Sequence, residues 1–348
     1  MPPDMRLIEP LGLLAGGAAA EAVAHGLALP LAGGRLAFSL ARLIGGETRR
    51  IVPVADIPDD FAAARKRLTA PLPPWAGLPP GRPVVMGILN VTPDSFSDGG
   101  RHFDPAQAIE AGQAMAEAGA AIIDIGGEST RPGAETVAPA EEQRRILPVI
   151  RELAARGILV SVDTRNAATM AAALEAGAAI VNDVSGLAHD PAALALVPRR
   201  DCAVVLMHMR GTPATMKTLA NYDDVALEVF SELGARLAAA EAAGIARARI
   251  ALDPGFGFAK EGAQNLELMR RLALFANFGC PLLIGVSRKR LIGMASGEVA
   301  APRRAPGSIA AGLYALGHGA FILRVHDVAE TVQAVRVWDS LCEGGMVS

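Results

Sequence analysis

Val84-Val-Met-Gly-Ile-Leu-Asn-Val-Thr-Pro-Asp-Ser-Phe-Ser-Asp-Gly-Gly100 is an apolar run that ends abruptly in a polar loop closed by a glycine pair. Six apolar or small residues, Val84 to Leu89, have the length and β-branching of a strand buried on both faces. Beyond the loop, Ala, Ile and Met recur at helical spacing from Pro105 to Glu117, Gly119 interrupts, and Ala121 to Ile125 is again short and apolar. Strand, helix, glycine, strand is the pattern of a parallel crossover unit.

The pattern continues downstream. Further candidate strands are Leu159 to Val162, Ala179 to Val181, Ala203 to Met207, Ile250 to Leu252, Pro281 to Val286 and Phe321 to Val325, which brings the number to eight. Helical spacing fills the intervals at Glu141 to Ala155, Ala167 to Glu175, Val225 to Ala243, Ala263 to Phe275 and Ala329 to Leu341. Gly119, Gly177, Gly244 and Gly319 precede the second, fourth, sixth and eighth strands, where a left-handed residue suits the end of a helix. Eight such units predict an α/β fold, a (β/α)8 TIM barrel over residues 84–342. An open doubly wound sheet is the rival.

Upstream, six prolines between Ala70 and Pro83 read as a linker, residues 70–83. Residues 1–69 then form an N-terminal extension of unassigned role, with a possible strand at Arg50 to Val54 and a charged helical piece at Asp59 to Leu68.

Composition narrows the function. Of 348 residues 51% are hydrophobic, enough for a large core, and the net charge of −3 with no long basic run gives nucleic acid little electrostatic hold. Ala305 to Leu323 is uncharged, but Pro306 and glycines at 307, 312, 317 and 319 break it, so no membrane span is expected. The apolar run Leu11 to Ala20 follows more acidic than basic residues, the wrong sign for a secretion signal. Cys202, Cys280 and Cys342 are odd in number and far apart, which suits reduced thiols in the cytoplasm.

In such a barrel the chemistry gathers where the strands' carboxyl ends meet the following loops. There the chain sets Asn90 and its loop, Asp124-Ile-Gly-Gly-Glu-Ser-Thr-Arg-Pro-Gly133, Asp163, Asn182-Asp183, His208 with Arg210, Asp253-Pro-Gly-Phe-Gly-Phe-Ala-Lys260, Ser287-Arg-Lys-Arg290, and Arg324 with His326 and Asp327. Singly, Asp163, Asn182 and Asp253 can be helix caps. Together with Lys289 they offer alternating donors and acceptors that match a flat nitrogen heterocycle such as an aminopyrimidine.

Only four lysines occur beside 29 arginines, so Lys289 is either chosen for its compact ammonium or an ordinary solvated lysine. Arg324 and His326, two apart on one strand, can face one ligand. With a divalent metal on Asn90 they would hold a pyrophosphate. His208 reads equally as a ligand or as a helper or core histidine, and Phe256 and Phe258 as a ring wall or as core. Neither G-x-G-x-x-G nor the P-loop motif is present, and no Cys/His cluster has zinc spacing.

Met86-Gly-Ile-Leu-Asn-Val-Thr-Pro-Asp-Ser-Phe-Ser-Asp-Gly-Gly100 and Ile123-Asp-Ile-Gly-Gly-Glu-Ser-Thr-Arg-Pro-Gly133 resemble the two signature loops of the dihydropteroate synthase family. Val162-Asp-Thr164, Asn182-Asp-Val184, Leu206-Met-His-Met209, Leu252-Asp-Pro-Gly-Phe-Gly-Phe258, Ser287-Arg-Lys289 and Arg324-Val-His-Asp-Val328 match in the family's order. The resemblance spans about Pro83 to Leu341 and implies a cytoplasmic, homodimeric transferase of folate synthesis. It would join 4-aminobenzoate to 6-hydroxymethyl-7,8-dihydropterin diphosphate with loss of pyrophosphate, assisted by Mg2+ and inhibited by sulfonamides.

By the same resemblance, Asp163, Asn182, Met207, Asp253, Phe258 and Lys289 hold the pterin. Asn90 (through Mg2+), Arg131, Arg324 and His326 hold the diphosphate. Phe96, Thr130, Pro132 and Arg290 flank the aminobenzoate, and Asp94 joins Asp163, Asp253, Lys289, Arg324 and His326 in catalysis. Arg290 stands where some members carry Ser. Rival readings are a barrel presenting methyl-tetrahydrofolate to a corrinoid partner, a non-catalytic pterin-binding paralogue, and a Schiff-base aldolase using Lys289.

Overall fold

A computed structural model describes residues 6–46, 48–92, 105–128, 137–212, 214–298 and 300–343. Ahead of residue 70 lies a small unit of β1 (Leu7–Ala15), α1 (Gly16–Ala24), β2 (Leu29–Leu31), β3 (Leu36–Gly45), β4 (Thr48–Pro53) and α2 (Ala62–Thr69). β3 is its spine, with β1 antiparallel along one edge and β2 and β4 sharing the other. Ile8, Phe38, Leu43, Phe61 and Leu68 give the unit its own core. It is tied to the barrel through buried Glu9, which accepts from Arg271 at 2.9 and 3.0 Å and from Arg42 at 2.8 Å. Asn277 adds a clamp on the β1 edge, donating to Ile8 O at 2.7 Å and accepting from Ile8 N at 3.3 Å.

The next elements are β5 (Val84–Asn90), α3 (Pro105–Glu117), β6 (Ile122–Gly126), α4 (Pro139–Ala155), β7 (Val160–Asp163), α5 (Ala167–Glu175), β8 (Ile180–Asp183) and α6 (Pro191–Leu196). They are followed by β9 (Ala203–Met207), α7 (Val225–Ala242), β10 (Ile250–Asp253), α8 (Gly262–Arg270), β11 (Leu283–Ile284), α9 (Arg290–Ser296), α10 (Ala305–Leu316), β12 (Ile322–Val325) and α11 (Val328–Glu343). The strands from β5 onward are all parallel, in the order β10-β9-β8-β7-β6-β5-β12-β11. A parallel bridge from Leu252 to Leu282, with Leu252 N donating to Pro281 O at 2.9 Å, closes the ring. The closed (β/α)8 barrel therefore replaces the open-sheet rival.

The seventh strand is the shortest, pairing only at Leu283 and Ile284 with β12 beyond the bridge at Leu282. Gly119, Gly177, Gly244 and Gly319 have φ of +102°, +110°, +99° and +93°, a region that strains any side chain. Among the described residues no helix is long and apolar enough to cross a membrane, and residues 305–323 resolve into α10, a turn and the start of β12.

Alternation along the strands sets the layers inside the barrel, because successive side chains face opposite sides. Outward Val85, Ile123, Val162, Val181, Leu206 and Leu323 pack in the main core with the helices. Inward Met86, Ile122, Ile180, Val205, Ala251 and Ile322 pack on each other and on Trp75. Residues 70–83 thus carry a tryptophan into the lower end of the barrel, 1% exposed, with its ring N–H on Arg249 O at 3.0 Å. Replacing Trp75 by Ala is expected to cost about 3–5 kcal/mol through the void it opens, read as a lower urea midpoint. Higher up, the same period brings Asp124, Asp163, Asn182, Asp253 and Arg324 into the barrel, with Asn90 a further step up β5 beyond Ile88. The polar layer rests on an apolar floor.

Candidate active site

Asp124 is the hub of the upper layer. Fully buried, it accepts on Oδ2 from Arg324 Nε at 2.6 Å and from Asn182 Nδ2 at 3.0 Å, while Oδ1 has no protein partner among the described residues. The acceptor-only oxygen fixes which end of the Asn182 amide donates to it. Arg324 also donates through Nη2 to Asp163 Oδ2 at 2.5 Å. Burial raises the Asp163 pKa to about 7, partly opposed by Arg324 and reinforced by Asp124. Burial opposes the charge of Arg324 too, but Asp124 and Asp163 outweigh it and raise its pKa.

Gly285 marks where the second half of the layer meets the first. A Cβ there would stand 3.9 Å from Asp253 Oδ2, 4.0 Å from Lys289 Nζ and 3.9 Å from Arg324 Cβ. No direct ion pair joins Asp253 to Lys289 among the described residues, so the two charges face each other across a gap. Lys289 Nζ donates to Phe256 O at 2.5 Å and lies 4.7 Å from the centre of the Phe258 ring, a cation–π placement. Burial lowers the Lys289 pKa to about 8 against the pull of Asp253, and burial raises that of Asp253 against the pull of Lys289. The two phenylalanines divide the readings between them: Phe256 is wholly buried core and Phe258 is half-buried beneath the ammonium.

Toward the rim, Asn90 is half-buried at the end of β5, in register with Gly126. Ser287 Oγ accepts the His326 backbone N–H at 3.1 Å and pairs with its Nδ1 at 3.1 Å, which fixes the imidazole above Arg324. Met207 ends β9 in register with Asp253, buried and facing inward. Arg290 is exposed at the first position of α9. Asp94, Phe96, Thr130, Arg131 and Pro132 lie outside the described residues. The stretch holding the last three is bounded by Glu128, which accepts from Arg165 at 3.1 and 3.0 Å and from Val137 N at 3.2 Å.

Behind the layer stands a chain that the sequence reading did not assemble. Lys260 Nζ donates to His208 Nδ1 at 2.9 Å, and His208 Nε2 pairs with Glu232 Oε2 at 3.0 Å. Burial lowers the Lys260 pKa to about 7, and burial, with Lys260 beside it, lowers that of His208 to about 4. Burial alone would raise that of Glu232, but bonds from His208 and Arg210 bring it down to about 2. His208 thus stands buried between Lys260 and Glu232. Asp124 was also missed as a site residue. Its signal is a carboxylate inside the apolar run Ile122-Ile-Asp-Ile125, on the inward parity of Ile122.

A closed ring of eight parallel strands, floored with apolar side chains and topped by a polar layer at their carboxyl ends, defines a (β/α)8 barrel enzyme. A family model described as pterin binding enzyme matches residues 86–326. The dihydropteroate synthase of Neisseria meningitidis serogroup C is 48% identical over 263 residues, 75% of this chain and 93% of that protein. Among solved structures, Xanthomonas albilineans dihydropteroate synthase with 4-aminobenzoic acid is 49% identical with a TM-score of 0.71, over 75% of this chain and 93% of that one. The same enzyme with 7,8-dihydropteroate gives 46% and 0.68, over 75% and 94%. Yersinia pestis dihydropteroate synthase with a sulfonamide drug gives 44% and 0.71, over 75% and 94%. The chain belongs to the pterin-binding enzymes and, within them, to the dihydropteroate synthase family.

Proposed function

We infer that the protein condenses 6-hydroxymethyl-7,8-dihydropterin diphosphate with 4-aminobenzoate, giving 7,8-dihydropteroate and pyrophosphate in folate synthesis. The observation that carries this reading is the gap between Asp253 and Lys289 over Gly285, flanked by Asp163 and Asn182 on one side and Arg324 on the other. A flat aminopyrimidine fills it. Its N–H groups donate to Asp163, Asn182 and Asp253, and the Lys289 ammonium donates to ring acceptors. Met207 and the Phe258 ring pack on its faces.

The diphosphate then extends toward the β5 and β12 ends. Nη1 of Arg324 has no partner among the described residues and faces this group together with His326, and Arg131 joins them in this role. No cluster of three His, Cys, Asp or Glu able to hold a metal occurs among the described residues. Mg2+ keeps its waters and is held by substrate phosphates plus one or two protein oxygens, a place the half-buried Asn90 at the end of β5 would fill. When bound, the ion neutralises charge building on the leaving oxygens.

The C–O bond at the pterin methylene breaks, and its electron pair leaves with pyrophosphate. Positive charge spreading into the ring is stabilised by Asp163 and Asp253, and the departing anion by Arg324 and His326. The arylamine nitrogen lone pair forms the new C–N bond and then gives up a proton, so no covalent enzyme intermediate is needed. Aiming that amine falls to Phe96, Thr130, Pro132 and Arg290, with Asp94 assisting. Sulfonamides occupy the aminobenzoate position. The three unpaired buried cysteines suit the reducing cytoplasm, and a homodimer is the expected assembly, which light scattering tests.

A pyrophosphate-release assay tests the reading. Release is expected only with both substrates and Mg2+, and a sulfonamide should raise the apparent KM for 4-aminobenzoate without lowering the rate at saturation. Absence of release with both substrates would overturn it.

A further inference from the structure

The loop from Asp253 to Lys260 has to hold three left-handed residues in five positions, Gly255 at φ +70°, Gly257 at +79° and Ala259 at +47°. For Ala that conformation costs roughly 1–2 kcal/mol, so the loop keeps its shape only where contacts over-determine it. Its carbonyls point two ways. Phe256 O faces the cavity and takes the Lys289 ammonium at 2.5 Å, while Gly255 O and Phe258 O turn back and each accept from Lys260 Nζ at 3.0 Å. His208 Nδ1 receives the third Lys260 proton at 2.9 Å, and every donor of that ammonium is used.

The Glu232 carboxylate can only accept, so the ring proton sits on Nε2 and is given to Oε2 at 3.0 Å, which leaves Nδ1 to accept from Lys260. Glu232 is held in turn by Arg210 Nε at 2.9 Å. His208 is also threaded through the loop, since its backbone N donates to Asp253 O at 2.9 Å and a Cβ on Gly255 would come within 2.0 Å of its carbonyl oxygen.

We propose that Lys260, oriented by His208 and Glu232, is a positioning residue that clamps the Asp253–Phe258 loop from behind and so aims Lys289, Asp253 and the Phe258 ring at the pterin. Gly255 O also accepts from Phe258 N at 3.1 Å, and Asn265 ties Gly257 N at 2.7 Å to Lys260 O at 3.0 Å, but among the described residues Lys260 alone bridges the two rearward carbonyls. If they swing, Phe256 O and the Phe258 ring shift under Lys289. The pterin half of the site then loosens and the aminobenzoate half does not. The assignment rests on the proposed reaction for its turnover readout but not for its binding readout.

Three full-length variants test it: Lys260→Met, His208→Leu, which removes the acceptor and the ring proton, and His208→Gln, whose amide can accept from Lys260 and donate to Glu232. Thermal unfolding measures the structural share of each change. Lys260→Met is expected to lower kcat/KM for the pterin diphosphate about 100-fold, and His208→Leu about 10-fold, with the KM for 4-aminobenzoate unchanged. His208→Gln should recover to within about threefold of the parent. Calorimetric titration with 7,8-dihydropterin should show parallel losses of affinity.

Equal increases in both KM values, a fall in kcat alone that tracks the unfolded fraction, or His208→Leu with parental pterin affinity would each overturn the clamp. If the parent binds dihydropterin but releases no pyrophosphate, the proposed reaction fails, and the titration still decides the clamp.

Discussion

Lys289→Met is expected to lower turnover about 100- to 1,000-fold, the loss that follows removal of one preorganised charged donor, while the melting temperature moves by only a few degrees. The asymmetry follows from position. Lys289 stands at the rim end of β11, half-buried above the apolar floor, and its one direct bond is to a loop carbonyl rather than to the Asp253 carboxylate. Burial has already lowered its pKa to about 8, so the folded chain spends free energy to keep it charged. A methionine of similar length releases that cost while losing the ammonium that faces the ring.

The pH dependence has a definite sign. Below about 8 Lys289 is an ammonium and above it an amine, so parental turnover should decline as pH rises through 8. The residual turnover of Lys289→Met should lack that limb. Steady-state rates from pH 6 to 9.5, with melting curves on the same samples, check both statements. A loss of melting temperature as severe as the loss of rate would make Lys289 a structural residue.

Much of the barrel was written locally, which is why its strands could be read. A strand buried on both faces needs an apolar run bounded by breakers, and Ala203 to Met207 and Ile322 to Val325 carry that signal whatever surrounds them. In the N-terminal sheet only β4 carries such a signal, at Arg50 to Val54. β1 and β3 pass through Gly12, Ala15, Ala37 and Ala41, weak strand formers whose conformation is decided by pairing across the sheet, a non-local fact.

The site divides along the same line. Residues that a strand delivers directly, such as Asp163, Asn182 and Asp253, were legible from their place at a strand end. Glu232 was not, because it lies in the interior of α7, 24 residues from the histidine it orients, with no spacing rule to link them. Lys260 was visible as one of four lysines, but its two carbonyl partners belong to its own loop, and only the fold of that loop turns them inward. Arg324 shows the opposite limit. The resemblance gives it to the diphosphate, and the structure has two of its three nitrogens already on Asp124 and Asp163.

That double engagement gives Arg324→Met a large expected effect on stability, about 3–5 kcal/mol in urea unfolding at pH 8, together with loss of turnover. The magnitude comes less from the lost ion pairs than from what remains. Asp124 is completely buried and Asp163 nearly so, and without the guanidinium neither has a compensating cation in contact. Burial already raises the Asp163 pKa to about 7, and loss of Arg324, which opposes that rise, lifts it further. A carboxyl whose folded pKa is raised contributes stability that is present at low pH and lost as pH climbs through that folded value. The deficit of the variant should therefore shrink on going from pH 8 to pH 5. Adding Asp163→Asn to Arg324→Met should recover part of the loss, since it removes one of the two stranded charges, whereas Asp163→Asn in the parent alone removes a partner from a buried arginine and should destabilise. A double-mutant cycle at both pH values isolates this coupling, because the two side chains touch. A deficit independent of pH, with additive single effects, would mean that Arg324 contributes by packing its stem, and that the buried charges of the upper layer are balanced by some other group.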